Sequence, residues 1–255
     1  MFDRIRELVA QRVPVVVGTI VRGEPIGAKM LVAGESVEGS LGSSELDAAF
    51  REAASEVLVA ERSEVRSFPT ASGAAVDVFI DAYPQPPQLI IFGAVHVAQP
   101  LARYAMDLGY LVTVVDARRT LATRERFPDV DRLIVAWPDD AFTDLEIHPS
   151  TAIAILTHDP KFDEPALLGA LETPARYIGA VGSRKTNADR RERLISNGVS
   201  GDDLARVHGP IGLDIGGQTP EEMAISILGE IIANRHGRSG GALTAASGRI
   251  RGESG

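Results

Sequence analysis

Gly93-Ala94-Val95-His96 follows the apolar run Leu89 to Phe92, and Asp116 stands about 20 residues further on, at the end of a second apolar run. A glycine after a strand, a helix behind it and a carboxylate at that distance form the context of a dinucleotide site. The turn lets backbone N–H groups approach a pyrophosphate, and the carboxylate accepts hydrogen bonds from ribose hydroxyls. The match is incomplete: Val95 occupies the position where close approach asks for glycine, and the third glycine is absent. Arg118, two residues past Asp116, joins this group as a cation beside the expected anion. A ligand-contacting turn and a structural βα turn in which Asp116 merely caps the next segment both stay open.

A second turn points to an anion more directly. Gly182-Ser183-Arg184-Lys185 leads from the run Tyr177 to Val181 into a helical pattern. Cations at a helix N-terminus oppose its dipole, and a bound phosphate would reverse the sign by accepting both backbone N–H groups and their charge. A solvated basic turn offset by Asp189 and Glu192 is the alternative. Thr157-His158-Asp159 follows another apolar run, so His158 and His96 are expected at neighbouring strand ends, where open α/β sheets bind ligands. No tight ligand spacing supports a His-His-Asp metal site, and no metal ligand is assigned. In the glycine-rich stretch from His208 to Glu222, Asp214 and Gln218 are the polar candidates, while Thr219, Pro220 and Glu222 read as a helix start. No catalytic constellation emerges.

The elements that must hold these residues divide at Tyr83-Pro84-Gln85-Pro86-Pro87, a run no helix or central strand tolerates. Before it, the spacing predicts a helix over Phe2–Gln11, strands over Val13–Val21 and Ile26–Val32, a helix over Glu45–Val59 capped by Ser44, and strands over Glu64–Phe68 and Ala75–Ala82. After it, strands at 89–92, 111–115, 133–136, 152–156 and 177–181 alternate with helices near 96–108, 122–127, 140–146, 164–171, 184–197 and 221–235. The fold class is therefore α/β: a Rossmann-like doubly wound parallel sheet over 88–236, preceded by a small α+β domain over 1–83; if its order is 3-2-1-4-5, the strand at 152–156 lies beside the one at 89–92. The Gly-, Ser- and Arg-rich segment 237–255 is expected to be a disordered tail.

Composition narrows the function classes. With 35 acidic against 26 basic residues the net charge is −9, which disfavours binding to nucleic acid or to an anionic membrane surface. No apolar run is long enough to span a bilayer and no signal peptide is visible, so a cytoplasmic location is expected. The sequence contains no cysteine, which excludes disulfides, thiolate metal sites and cysteine nucleophiles among these residues.

Four segments, in order, resemble the xanthine dehydrogenase accessory family of XdhC/CoxI type: Ile91 to Ala105, Leu156 to Leu167, Tyr177 to Leu194 and Gly209 to Ala233. The resemblance implies a cytoplasmic accessory protein, a chaperone rather than an enzyme with turnover. Such proteins bind the molybdenum cofactor, shelter it during sulfuration and deliver it to a molybdenum hydroxylase apoenzyme, with a cysteine desulfurase as a further partner. That cofactor is molybdopterin or its nucleotide form, a phosphate-bearing ligand that suits loops reading as anion sites; NAD(P) or FAD in an oxidoreductase is the alternative. A nucleotide-sensing partner of a hydroxylase is a third reading, and a homo-oligomer is the expected assembly. The sequence departs from the family in two places. The family's glycine-glycine-glycine-cysteine stretch falls at Gly39 to Glu45 without its cysteine, and Val95 stands where glycine is usual.

Overall fold

The structure is a computed structural model that describes residues 1–70 and 73–246. Among these, the chain forms two compact units, residues 1–85 and 86–246.

The first unit is an antiparallel sheet with helices. Its elements are α1 (Phe2–Ala10), β1 (Val15–Arg22), β2 (Lys29–Ala33), β3 (Ser36–Gly39), α2 (Ser44–Ala60), β4 (Glu64–Pro69) and β5 (Ala75–Tyr83), and the strand order is β3-β2-β1-β5-β4. Alternation along β1 separates two faces. Val16 and Ile20 point into a core with Phe50, Ala53 and Val57 of α2, while Val15 and Val17 pack with Leu8 of α1. Gly18 lies beneath the Phe50 ring, and a Cβ there would come within 2.5 Å of it. Three local expectations change. The cap of α2 is Ser43, whose side chain accepts from Leu46 N. The second strand starts at Lys29, because Gly27 N and Ala28 N bond Ile20 O and Pro25 O in the turn. β3 pairs with β2 in a stretch that shows no alternation of its own.

The second unit holds β6 (Gln88–Phe92), α3 (Ala98–Asp107), β7 (Leu111–Val115), β8 (Arg132–Ile134), α4 (Pro138–Phe142) and β9 (Thr151–Ile155). It continues with α5 (Pro160–Leu171), β10 (Tyr177–Ala180), α6 (Arg184–Ser196), α7 (Gly201–Ala205), β11 (Val207–His208) and α8 (Pro220–Arg235). Its sheet is parallel, in the order β11-β10-β9-β6-β7-β8. The first five strands of this unit take the order 3-2-1-4-5, and β11 adds a sixth position beside β10. β9 and β10 are buried throughout because helices cover both faces. Leu89 and Ile91 face α3 and α8, whereas Ile90 and Phe92 face α4 and α5.

The expected helix at 122–127 is a run of turns. Phe127 N still bonds Thr123 O, but Pro128 disfavours helical backbone at the residue before it. Arg126 instead donates to the carbonyls of Ala94 and Leu121. α5 begins at Pro160, four residues before the first expected position, because Asp159 caps it. The segment 237–246 is irregular apart from a 3-10 turn at Leu243–Ala245, and the rest of the expected tail, 247–255, lies outside the described residues.

Phe50 is fully buried at the centre of the first core. Phe50→Ala is expected to cost about 3–5 kcal/mol, read as a fall in the denaturant midpoint at unchanged slope.

Candidate functional site

The loops after β6, β7, β9 and β10 all emerge at the carboxyl end of the parallel sheet, and the strand order reverses between β6 and β9. Gly93 has φ +110°, and a Cβ there would meet Thr157 Cγ2 at 2.6 Å, so glycine is required where the two loops touch. Ala94 is buried, Val95 half-buried and His96 exposed.

Asp116 is fully buried, and its oxygens are saturated. Oδ2 accepts from Ala94 N at 2.7 Å and from Arg118 Nη2 at 2.7 Å; Oδ1 accepts from Arg118 N and Nε, both at 2.9 Å. A carboxylate offers about four lone-pair sites, and all are used. Burial opposes ionisation here, but the bonds from Arg118 and Ala94 outweigh it and hold Asp116 below the usual carboxylate range. Asp116 thus staples the β6 turn to the β7 exit, and in this arrangement it has no acceptor left for a ribose.

The loops after β9 and β10 are tied by a buried ion pair. Asp163 and Arg190 are 1% and 5% exposed, with Arg190 Nη2 donating to Asp163 Oδ2 at 3.3 Å. Asp163 also accepts from Thr157 Oγ1 in the β9 loop, while Arg190 Nη1 donates to Val181 O in the β10 loop and to Asn187 Oδ1. Asn187 Nδ2 in turn bonds the carbonyls of Gly182 and Ser183. Burial raises the Asp163 pKa, offset only in part by Thr157 and Arg190. His158 projects from the tied loop with φ +64°, a left-handed conformation uncommon outside glycine, and is exposed.

A cleft of about 330 Å³ opens beside this clamp, bounded by His158, Gly182, Leu213, Asp214, Gly217 and Met223. It gathers three of the residues singled out from sequence: His158, Gly182 and Asp214. Ser183 caps α6 by accepting from Thr186 N, and Lys185 is exposed in its first turn. Arg184 lines a separate cavity behind α6. Asp159 caps α5 by accepting from Lys161 N. Gln218 is exposed, its N–H held by the capping-box carboxylate of Glu222. Gly93, Ala94, Val95, His96, Asp116 and Arg118 line neither cavity. Among the described residues no group of three His, Asp or Glu side chains is placed to hold a metal ion, and no helix is long and apolar enough to cross a membrane.

Glu230 carries no local sequence signal, yet it anchors the loop that bounds the cleft. Its Oε2 accepts from Tyr177 Oη and from Gly212 N at 2.7 Å, and its Oε1 lies 3.2 Å from His208 Nδ1. Burial opposes its ionisation, but His208, Tyr177 and Gly212 N hold it below the usual range. Tyr177 stacks on His208, and its phenol pKa is raised by burial and by Glu230. These partners come from β10, β11 and the Gly212 loop, away from α8 in the chain, so only a capped helix with one inward carboxylate could have hinted at them.

Residues 89–231 match the model of the XdhC Rossmann domain, and residues 8–69 match that of the XdhC and CoxI family. The chain is 35% identical to a probable xanthine dehydrogenase subunit of Bacillus subtilis over 62% of its own length and 46% of that protein. It is 34% identical to the uncharacterized protein YqeB of Escherichia coli over 66% of its length and 31% of that protein. With the molybdenum cofactor insertion chaperone PaoD of Escherichia coli the identity is 27%, over 58% and 40%. The chain thus spans less than half the length of these relatives. A crystal structure from Bacillus halodurans described as a xanthine dehydrogenase shares the fold, with TM-score 0.55 at 22% identity over 96% of this chain and 97% of that one.

Arg190→Met is expected to cost about 3–5 kcal/mol at neutral pH, because it leaves the Asp163 charge buried without its partner. Asp163 has a raised folded-state pKa, so its ionisation opposes folding, and stability is lost as pH rises through that value. The deficit of Arg190→Met should therefore shrink on acidification, as measured by urea unfolding at neutral and mildly acidic pH. Asp116 behaves oppositely. Its folded pKa is depressed, so its contribution is present above the unfolded value and is lost as pH falls through the folded one. Asp116→Asn should lower stability at neutral pH and flatten the acid limb of the stability curve.

Proposed function

The chain belongs to the XdhC and CoxI family, and from that premise we propose that it binds the molybdenum cofactor and passes it to a molybdenum hydroxylase during maturation. The observation that carries this reading is the cleft of about 330 Å³ where His158, Gly182 and Asp214, from three loops, converge. Its volume suits a compact heterocycle, at the lower end of the range for small-molecule sites.

The residues fit a pterin with a phosphate. Asp214 offers a carboxylate acceptor to ring N–H donors, and His158 offers a further polar contact from across the cleft. Leu213 and Met223 supply apolar surface for the ring faces. Gly216 and Gly217 let backbone approach the ligand without side-chain bulk. Gly182 brings the start of α6 to one wall, where backbone N–H groups of a helix N-terminus favour a phosphate. When bound, the cofactor brings the molybdenum centre that the client enzyme requires; the chain's own part is to bind, orient and shield it. These 255 residues include no thiol and supply no sulfur for sulfuration themselves; in this reading a cysteine desulfurase is the donor.

The kinship with proteins named as a cofactor insertion chaperone and a probable xanthine dehydrogenase subunit supports this direction. The rival, NAD(P) or FAD at the Gly93 turn, asks Asp116 to receive ribose hydroxyls. That would require Arg118 to leave a bidentate contact and would open a buried carboxylate.

The test is anaerobic gel filtration of the chain with molybdenum cofactor released from a purified hydroxylase, read by absorbance and metal analysis. The wild-type chain should retain cofactor, and His158→Ala with Asp214→Ala should weaken retention about tenfold or more, the effect of losing charged hydrogen bonds. Absence of retention, or tight NAD(P)H binding with hydride transfer to an acceptor, overturns the reading.

A further inference from the structure

Behind α6 lies a second cavity, of about 260 Å³, with no part in the proposal above. Its lining on α6 includes Arg184, Asn187, Arg191 and Leu194, spaced three or four residues apart and therefore on one face of the helix. Asp189 and Glu192, on the same helix, line a different concavity together with Arg193. In a chain of net charge −9, this face is a cationic exception. Arg184 makes no ion pair among the described residues, and Arg191 makes only a long bond of 3.4 Å to Gly201 O. Arg190, nine-tenths buried, also lines the cavity; its two terminal nitrogens are held as described, and its Nε–H pairs with none of the described residues. The other walls are apolar, from Leu167, Leu204 and Val207.

Guanidinium groups at a rim select planar or tetrahedral oxyanions and stack on aromatic planes, while an apolar floor selects a ligand with a flat, weakly polar body. The volume lies just below the range for whole drug-sized ligands, which suits a fragment and not a dinucleotide. We propose that this cavity is a subsite for a nucleoside monophosphate, its phosphate on Arg184 and Arg191 and its base on the Leu194, Leu204 and Val207 floor. The same chemistry comes from a free mononucleotide or from the nucleotide half of an extended cofactor. Pro210 lines both this cavity and the His158 cleft, and Asn187 of this cavity holds the Gly182 carbonyl of the other. An occupant here therefore bears on the loop that bounds the main cleft. The inference stands without the cofactor reading, since free mononucleotides test it directly.

The experiment is calorimetric titration of the full chain with CMP, GMP and AMP, alongside inorganic phosphate and cytidine. At least one mononucleotide should bind, more tightly than phosphate or nucleoside alone. Arg184→Ala with Arg191→Ala should weaken it about tenfold or more, as loss of charged hydrogen bonds does. Both side chains are exposed, and retention of the fold is checked by circular dichroism and unfolding midpoint. Arg193→Ala, on the other face and paired with Glu164, should leave affinity unchanged. Competition then separates the sources. Displacement by the dinucleotide cofactor but not by the monophosphate pterin form assigns the cofactor's nucleotide half; displacement by neither assigns a free nucleotide. No mononucleotide binding, phosphate binding as tightly as nucleotide, or equal losses in the Arg193 and Arg184/Arg191 variants would each overturn the subsite.

Discussion

Asp163 and Arg190 share a nearly water-free space between α5 and α6, and neither can be there without the other. Removing two ions from water costs several kcal/mol each, recovered only if geometry and additional hydrogen bonds are good. Here the additional bonds reach outward: Thr157 from the β9 loop, Val181 O and Asn187 from the β10 loop. The pair therefore fixes two strand exits relative to each other, and the walls of both cavities derive from those exits. The same low-dielectric surroundings that make the pair costly make its geometry stiff.

Two other carboxylates, the buried Asp116 and the half-buried Glu230, work on the same plan at neighbouring points of the sheet. Asp116 joins the β6 turn to the β7 exit, and Glu230 joins β10, β11 and the Gly212 loop. In each case a helix or loop supplies enough donors to hold the group ionised against burial. With three anions occupied in positioning, Asp214 and His158 remain as the exposed polar groups at the main cleft. This division separates the scaffold from the surface that can meet a ligand, and it explains why a carboxylate at the dinucleotide spacing does not by itself imply a dinucleotide.

The cysteine-free stretch Gly39 to Glu45 has a structural role of its own. Gly39, with φ +85°, sits where a Cβ would strike Lys29 O at 2.3 Å. Leu41 is fully buried, with its N–H on Asp47, and Ser43 caps α2. The segment thus closes the first core and starts its helix whether or not a thiol accompanies it.

The sequence by itself determined the alternation of elements and the capping box at Thr219, because each depends on local spacing; the order of the strands came only from their pairing in the sheet. Family membership was likewise legible in the segments around Gly93, His158, Gly182 and Gly209. The turns at 122–127, the short β3 and β11, and the true caps Ser43 and Asp159 were not, since local competition between side chain and backbone decides them. Which candidates share a cleft was also decided only in three dimensions. His158, Gly182 and Asp214 converge, Arg184 turns to a second cavity, and Asp116 is fully engaged by Arg118 and Ala94. Sequence spacing says which residues leave a strand's end. It cannot say which lone pairs are already taken or which side of a helix an arginine serves, because those depend on partners brought from distant parts of the chain.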